Sequence, residues 1–271
     1  MSAEVTAPGP LLDEQGRLAA PGWARRPLWA YERARVRVPG PALLARLRLK
    51  EWDYWGVGTR DLFWAAVVAH AGYAGVAWCM LLDFRAGRTV VERVAATPLG
   101  RGAVLPCSSE RGDASFRAAG VSLAFERVGA GEGAARRLRV RWRRFPWEEP
   151  LEADVAVAGG AGAGAIALAT PVGGHGFYYN HKVCGLTASG KVRLGARTFA
   201  LGEDAQATLD WGRGVWPYAT FWNWATGAGR LADGRRFGLN LGGGFAAPGA
   251  ATENVFFVDG RPTKLGVAHW R

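Results

Sequence analysis

Six polar side chains in the C-terminal half of the chain sit inside runs that are otherwise apolar. A buried polar group is costly unless it is paired, so these side chains should meet one another, the backbone or a bound ligand. Amide, ammonium and carboxyl groups that converge on one cavity could orient and protonate a small molecule. A purely structural hydrogen-bond network is the alternative interpretation. The six residues are Asn180, Lys182, Asn223, Asn240, Glu253 and Asn254.

Bulky aromatic residues crowd the segment "LDWGRGVWPYATFWNWAT" at residues 209–226. Aromatic walls with a few fixed polar groups are typical of a site for an apolar ligand. The alternative is that these rings form the core and the seam between two packed layers, as aromatic residues do in many folds. The candidate aromatic residues that share one strand face by parity are Trp216, Tyr218, Trp222 and Trp224.

We expect this segment to form a rim turn followed by a strand. Along a strand, neighbouring side chains point to opposite faces, so Asn223 cannot share the environment of the tryptophans on either side. We therefore predict that Trp222 and Trp224 face apolar surroundings while Asn223 joins Asn180 or Asn240 in a polar cluster.

The residues around "WG" in the same segment indicate a tight turn. Gly212 and Gly214 are spaced as in a turn at a barrel rim, and Asp210 and Arg213 could pair there to fix the loop. A paired aspartate keeps a low pKa and serves poorly as a general acid, so a structural role is favoured for this pair over a catalytic one.

The stretch "FYYNHK" completes the candidate set. As a strand it places Tyr178, Asn180 and Lys182 on one face and His181 on the other. No catalytic residue is assigned from sequence. The candidate ligand-binding residues are Tyr178, Asn180, Lys182, Asp210, Arg213, Trp216, Tyr218, Trp222, Asn223, Trp224, Asn240, Glu253 and Asn254.

Several common catalytic and cofactor classes lack their signatures. The three cysteines are far apart, and His175 and His181 have no third ligand close in sequence, so we expect no metal. Between Gly164 and Pro171 there is too little chain for the helix of a dinucleotide-binding turn, and no phosphate loop follows. No Ser-His-Asp order stands out. We predict no bound cofactor.

The net charge of +11 is carried almost entirely by arginines. A run at Arg136–Arg144 alternates arginine with apolar residues, and after a turn around Pro146 the acids Glu152 and Asp154 alternate in the same way. Paired antiparallel, the two strands would neutralise each other on a solvated face. We favour that interpretation over a phosphate-binding stripe, so nucleic-acid binding is not expected, while peripheral contact with an anionic membrane stays open.

Residues Leu62–Leu82 carry no formal charge and are long enough to span a bilayer. The glycines of "AGYAG" predict instead a β-hairpin with its turn there, and His70 near the middle of a span argues against a membrane helix. The N-terminus lacks a signal-peptide pattern, and the cysteines form no disulfide framework. We therefore expect a cytoplasmic protein with no transmembrane span; its oligomeric state is not indicated.

Short alternating runs separated by Gly-rich turns predict an all-β, mainly antiparallel protein. We divide it into an N-terminal arm at residues 1–22, a first β lobe at 23–158, a flexible Gly-rich linker at 159–175 and a second β lobe at 176–271.

Six segments form a recognisable set: "GWARRPL", "KEWDYW", "FYYNHK", "LDWGRGVWPYATFWNWA", "GLNLGGGF" and "ATENVFFVDG". Together they resemble the bacterial and fungal family called domain of unknown function 2804. The resemblance runs from about residue 10 to the end and is most specific over residues 177–259. It implies two packed, lipocalin-like antiparallel barrels or half-barrels, similar to those of carotenoid hydratases and some cyclases. Family members usually continue through further strands, so the second barrel is expected to be incomplete.

Two classes of function fit these features. One is an enzyme that hydrates, isomerises or cyclises an apolar small molecule such as a lipid, terpenoid or polyketide-like compound. The other is a non-catalytic carrier or sensor of such a molecule. Binding of an anionic surface through the arginine-rich strand is a third interpretation.

Overall fold

The computed structural model describes residues 3–38, 41, 47–87, 89–131, 134–145, 149–159, 163–245 and 250–271. Its named elements in these ranges are β-strands and one short 3-10 helix, Arg33–Arg35. The strands are β1 (Gly9–Pro10), β2 (Gly22–Ala24), β3 (Trp29–Ala30), β4 (Leu49–Gly58), β5 (Leu62–His70), β6 (Ala74–Asp83), β7 (Thr89–Pro98), β8 (Ala103–Val104), β9 (Ala114–Ala118), β10 (Val121–Val128), β11 (Ala135–Trp142), β12 (Leu151–Val157), β13 (Gly164–Pro171), β14 (Phe177–Leu194), β15 (Arg197–Leu201), β16 (Gln206–Val215), β17 (Asn223–Arg230), β18 (Arg236–Gly243), β19 (Val255–Val258) and β20 (Arg261–Lys264).

Most strands belong to one large antiparallel sheet, the main sheet. Its order is β7-β6-β5-β4-β16-β14-β12-β11-β10-β9-β8, with β13 and β15 also paired to β14 and β2 paired to β13. The sheet curls until β8 and β9 contact β5 and β6. The enclosed core contains fully buried rings, among them Trp64, Phe116, Phe125 and Trp211.

The apolar segment that is long enough to cross a bilayer forms the predicted hairpin. β5 and β6 pair in antiparallel register from Leu62 opposite Asp83 to His70 opposite Gly75. Gly72 adopts a φ of 83° in the turn, a conformation that glycine reaches without steric cost. Among the described residues, no helix has the length and apolar character needed to cross a membrane.

β14 belongs to both halves of the main sheet. Its first half pairs with β13 and β16, and its second half pairs with β12 and β15. The register shifts between Cys184 and Leu186, where Gly185 has a φ of 79°. This β-bulge bends β14. The first half of the strand can therefore line a cavity that lies outside the core of the main sheet.

The last four strands form a second antiparallel sheet, ordered β17-β18-β19-β20, which we call the C-terminal sheet. It packs against β14 and β13 of the main sheet. Val255 and Phe257 of β19 are buried in this contact with Ile166 of β13 and Cys184 of β14. The all-β fold of curled, half-barrel antiparallel sheets expected from sequence is confirmed.

The region expected to be a flexible linker contains a strand. Gly164–Pro171 forms β13, which pairs with β14 and is mostly buried, because its alanine and aliphatic side chains pack on both faces. The arm at residues 1–22 also touches the body of the protein, since Leu11 and Leu12 are buried in the main core. Hydrogen-bonded strand pairs join β4 to β16 and β12 to β14 across the predicted division, which stays a prediction.

The arginine-rich strand β11 is neutralised only in part by the acids expected to face it: Asp154 pairs with Arg137 of β11, whereas Glu152 pairs with Arg193 of β14. Arg137 donates two hydrogen bonds to Asp154, at 2.8 and 2.7 Å, and Arg139 pairs with Glu126. All four of these side chains are at least one third exposed, so the pairs lie on a solvated face. The turn expected around Pro146 falls outside the described residues.

Candidate functional site

One face of the main sheet, which we call the cavity face, looks toward the C-terminal sheet. On β14 and β16 Lys182 lies opposite Asp210, and on β4 Tyr54 lies opposite Asp210. Side chains at paired positions of neighbouring strands point to the same side of a sheet, so these three share the cavity face. A cavity of about 540 Å³ lies there, and the loop at residues 216–222 forms part of its wall.

The walls of this cavity are mainly aromatic. Trp52 stacks on Tyr178 with ring centroids 5.6 Å apart, and Tyr178 lies 4.9 Å from Trp216. On the other side, Tyr54 meets the edge of Trp224 at 5.3 Å. Rings held in contact with one another form a rigid apolar surface, which suits a ligand that is itself apolar.

A charged cluster lies in this apolar wall. Lys182 is 2% exposed, and its Nζ is 2.6 Å from Asp210 Oδ2 and 3.8 Å from Glu253 Oε2. The Nζ also lies 4.8 Å from the ring centroid of Trp224. Trp52 donates from Nε1 to Asp210 Oδ1 at 3.1 Å. One cation therefore stands between two carboxyl groups, and Asp210 is its closer partner.

Glu253 reaches the cluster from the chain just before β19. Its side chain is buried, and its Oε2 accepts a hydrogen bond from the Asn180 amide. Asn240 donates to the Glu253 backbone carbonyl at 3.0 Å and accepts from Trp224 Nε1 at 2.9 Å. Neighbouring strands of both sheets thus fix the carboxyl group and the adjacent indole in place.

Burial raises the pKa of the Glu253 carboxyl above its ordinary value of 4.5, and the nearby Asp210 carboxylate acts in the same direction. Lys182 and the amides of Asn240 and Asn180 oppose the shift. Burial also raises the pKa of Tyr178 well above 10, with the two carboxylates adding to the effect. Glu253 therefore favours its protonated form more than an ordinary glutamate, which is what a general acid in a dry cavity requires.

Eight of the candidate residues meet at this cavity. Asn180 and Asn240 hold Glu253 or its neighbours by hydrogen bonds, and the other members line the wall. Tyr218 and Trp222 also lie along it but on its outer rim, where Tyr218 is fully exposed and Trp222 is 61% exposed. The eight are Tyr178, Asn180, Lys182, Asp210, Trp216, Trp224, Asn240 and Glu253.

Arg213 lies on the opposite face of the sheet, and the expected Asp210–Arg213 pair does not form. The segment with Gly212 and Gly214 is part of β16 and not a turn, so residues three apart point to opposite sides. Arg213 is fully buried and pairs instead with Asp53, at 3.0 Å, and Glu51, at 3.6 Å.

The expected environments of Trp222 and Asn223 are also wrong. Residues 216–222 form a loop, and β17 begins only at Asn223, so Trp222 is on the rim and not in an apolar interior. Trp224, one residue further along, takes the hydrogen bond to Asn240 that Asn223 was expected to make. Asn254 accepts from Gly242 N and donates to Gly266 O, so it joins backbone segments beside the site.

Sequence reasoning missed three aromatic residues of the wall, Trp52, Tyr54 and Phe245. Trp52 and Tyr54 alternate in "KEWDYW", a signal for one shared strand face. Their contact with β14 and β16 depends on long-range strand pairing that the local sequence does not contain.

Comparison with known protein families shows the family to which the chain belongs. The family model described as "Domain of unknown function (DUF2804)" matches residues 2–271. No match is found among curated proteins.

Solved structures of similar fold include a protein assigned as AttH from Nitrosomonas europaea, with 16% identity, a TM-score of 0.47, and 84% of this chain and 73% of that chain covered. Kievitone hydratase from Nectria haematococca is 9% identical, with a TM-score of 0.44 and coverage of 79% and 63%. CghA is 11% identical, with a TM-score of 0.36 and coverage of 94% and 68%. At these scores the similarity carries no argument about the site.

Proposed function

This chain belongs to the DUF2804 family of domains of unknown function, and we propose that it is an enzyme that protonates an apolar, unsaturated small molecule held in its aromatic cavity. The observation that carries the proposal is the buried Lys182, Asp210 and Glu253 cluster in an otherwise aromatic wall. Hydration, isomerisation and cyclisation of such a molecule can each begin with this protonation.

Glu253 is the proton donor in this mechanism. The π electron pair of the substrate takes the carboxyl proton and forms a new C–H bond, leaving a carbocation and the Glu253 carboxylate. Lys182 lies 3.8 Å from that carboxylate and stabilises it as the charge develops. The aromatic rings of the cavity wall stabilise the cation by cation–π attraction.

The cation is then quenched in one of three ways. Addition of water with return of a proton to Glu253 gives a hydrated product, loss of a different proton gives an isomer, and attack by a second double bond of the same molecule gives a ring. In each case Glu253 is reprotonated, by the water, by the substrate proton or, after ring closure, by the proton that the cyclised cation loses.

A carrier of an apolar molecule would need only the aromatic walls. Burying three ionisable groups is costly, and replacing such groups by apolar ones is often neutral or stabilising. Perturbed titratable groups in a cleft are more typical of catalytic sites.

The three cysteines are all free, which agrees with our proposal of a reducing, cytoplasmic location.

The test compares what wild type and Glu253→Gln retain when purified from the same host. Bound molecules are extracted and identified by mass spectrometry. The variant should retain the unreacted substrate, and wild type should retain a product. A hydrated product is heavier than the substrate by one water, whereas an isomer or a cyclised product has the same mass and a different chromatographic retention time. The same molecule in both would instead favour a carrier. Glu203→Gln, at an exposed position, is the matched control.

A further inference from the structure

A second cavity lies on the other face of β14. Its volume is about 580 Å³, and among the described residues it shares no lining residue with the first cavity. His181 lines it, next in sequence to Lys182 of the first cavity, because successive residues of a strand point to opposite faces.

His181 leaves one hydrogen-bonding position unused. The side chain is 5% exposed, and its Nδ1 lies 2.9 Å from Ser109 Oγ. Its Nε2 is buried and has no partner among the described residues. A neutral imidazole has one donor and one acceptor nitrogen, so Ser109 satisfies only one of them. Buried polar atoms in native proteins are nearly always paired, and an orphan of this kind is a reason to look for a ligand.

The charge state of His181 is set by its surroundings. Burial, with a smaller contribution from Arg136, lowers the pKa of His181 to about 4. Arg136 is held in place by donating to the backbone carbonyls of Gly112, at 2.7 Å, and Ser109, at 2.8 Å. The imidazole is therefore neutral near pH 7. It can form a hydrogen bond with a neutral oxygen group without taking up a proton.

The rest of the cavity wall combines apolar and polar regions. Trp55, Val183, Leu186 and Leu209 form an apolar surface, while Arg26, Ser109, Glu110 and Arg136 lie on the polar side. A molecule that fits both would have an apolar body and one polar group at its end.

We infer that this second cavity binds an apolar small molecule carrying one hydrogen-bonding oxygen, which pairs with His181 Nε2. The inference does not depend on Glu253 or on the reaction at the first cavity. It also predicts that the two cavities can be filled at the same time, since the sheet separates them.

The test is a titration of protein labelled with ¹⁵N at its histidines, of which the chain has four. The probes are 1-octanol and 2-octanone, with ethylbenzene as a control that has no oxygen. The expected result is a saturable shift of the His181 Nε2 resonance with the oxygenated probes, in wild type and in Glu253→Gln alike. The exposed His175 and His269 should not respond.

His181→Phe assigns the signal and should weaken binding of the same probes about tenfold, the effect of losing one hydrogen bond. Leu186→Trp, which fills the cavity from its apolar side, is a second variant that keeps His181 and should abolish the shift. A His181 signal that is unmoved by both oxygenated probes, or that moves equally with ethylbenzene, would overturn the inference.

Discussion

The Lys182 ammonium lies 2.6 Å from Asp210 Oδ2, at positions that face each other across β14 and β16. The same ammonium is 3.8 Å from Glu253 Oε2, which arrives from the C-terminal sheet. Lys182 therefore compensates the closer carboxylate while leaving the pKa of Glu253 raised by burial. Asp210 is therefore the ion-pair partner of Lys182, and Glu253 is the proton donor, because Lys182 lies closer to Asp210 than to Glu253.

Lys182→Met should destabilise the protein by about 3–5 kcal/mol, because it leaves Asp210 buried without its cation. The measurement is the free energy of unfolding in urea. Lys191→Met, at an exposed position of the same strand, should change it by no more than about 0.5 kcal/mol. Adding Asp210→Asn to Lys182→Met should recover part of the loss. If Lys182→Met alone is as stable as wild type, the cluster is hydrated and not buried.

Glu253 should make the protein less stable as the pH rises. Its pKa is raised in the folded state, so above 4.5 the unfolded chain releases this proton while the native protein retains it. The native state then binds more protons, and the free energy of unfolding falls until the pH passes the folded pKa. When stability in urea is measured from below pH 4.5 upward, wild type should lose stability relative to Glu253→Gln as the pH rises, because the variant lacks this titration. Parallel pH profiles for the two proteins would contradict the raised pKa.

Asn240→Ala should cost about 1–3 kcal/mol, because it leaves Trp224 Nε1 and the Glu253 carbonyl without their buried partner. Trp222→Ala should cost less than about 1 kcal/mol, since Trp222 is 61% exposed. Thermal or urea unfolding of the two variants checks the order. The reverse order would place Trp222, and not Trp224, in the interior.

Gly212→Ala should disturb the aromatic wall. A Cβ at this position would lie 2.2 Å from the Trp52 ring, so the indole must move toward the cavity. We expect a loss of about 1–3 kcal/mol from overpacking and a changed near-ultraviolet circular dichroism spectrum. Gly227→Ala is the matched control, because a Cβ there has no neighbour within 4 Å. If both variants have the wild-type spectrum, Trp52 does not pack on Gly212.

The sequence was informative where strands are regular. Parity alone put Tyr178, Asn180 and Lys182 on one face, and the long strand β14 keeps them there. The hairpin at β5 and β6 was equally readable, because glycines mark its turn and the flanking segments are strongly β-forming.

Irregular and long-range features were not readable in this way. The aromatic spacing up to Trp222 resembles a strand, but the loop at residues 216–222 breaks it, so parity counted through the loop wrongly gave Trp222 the environment of Trp224. Parity within β17 does separate Asn223 from Trp224, but the side that carries Trp224 is the one that meets Asn240. Gly212 resembles a turn residue, whereas it is a strand position kept small by the Trp52 ring. Such close approaches depend on residues distant in sequence, and only the folded register reveals them.

Proton transfer from Glu253 is the central claim, and isotope incorporation tests it most directly. The molecule extracted from Glu253→Gln is incubated in D₂O with wild type, Glu253→Gln or Glu203→Gln, and carbon-bound deuterium in the recovered compound is measured by mass spectrometry. The account predicts deuterium with wild type and Glu203→Gln and none with Glu253→Gln, although that variant still binds the molecule. Unlabelled compound from wild type, or equal labelling by Glu253→Gln, would contradict it.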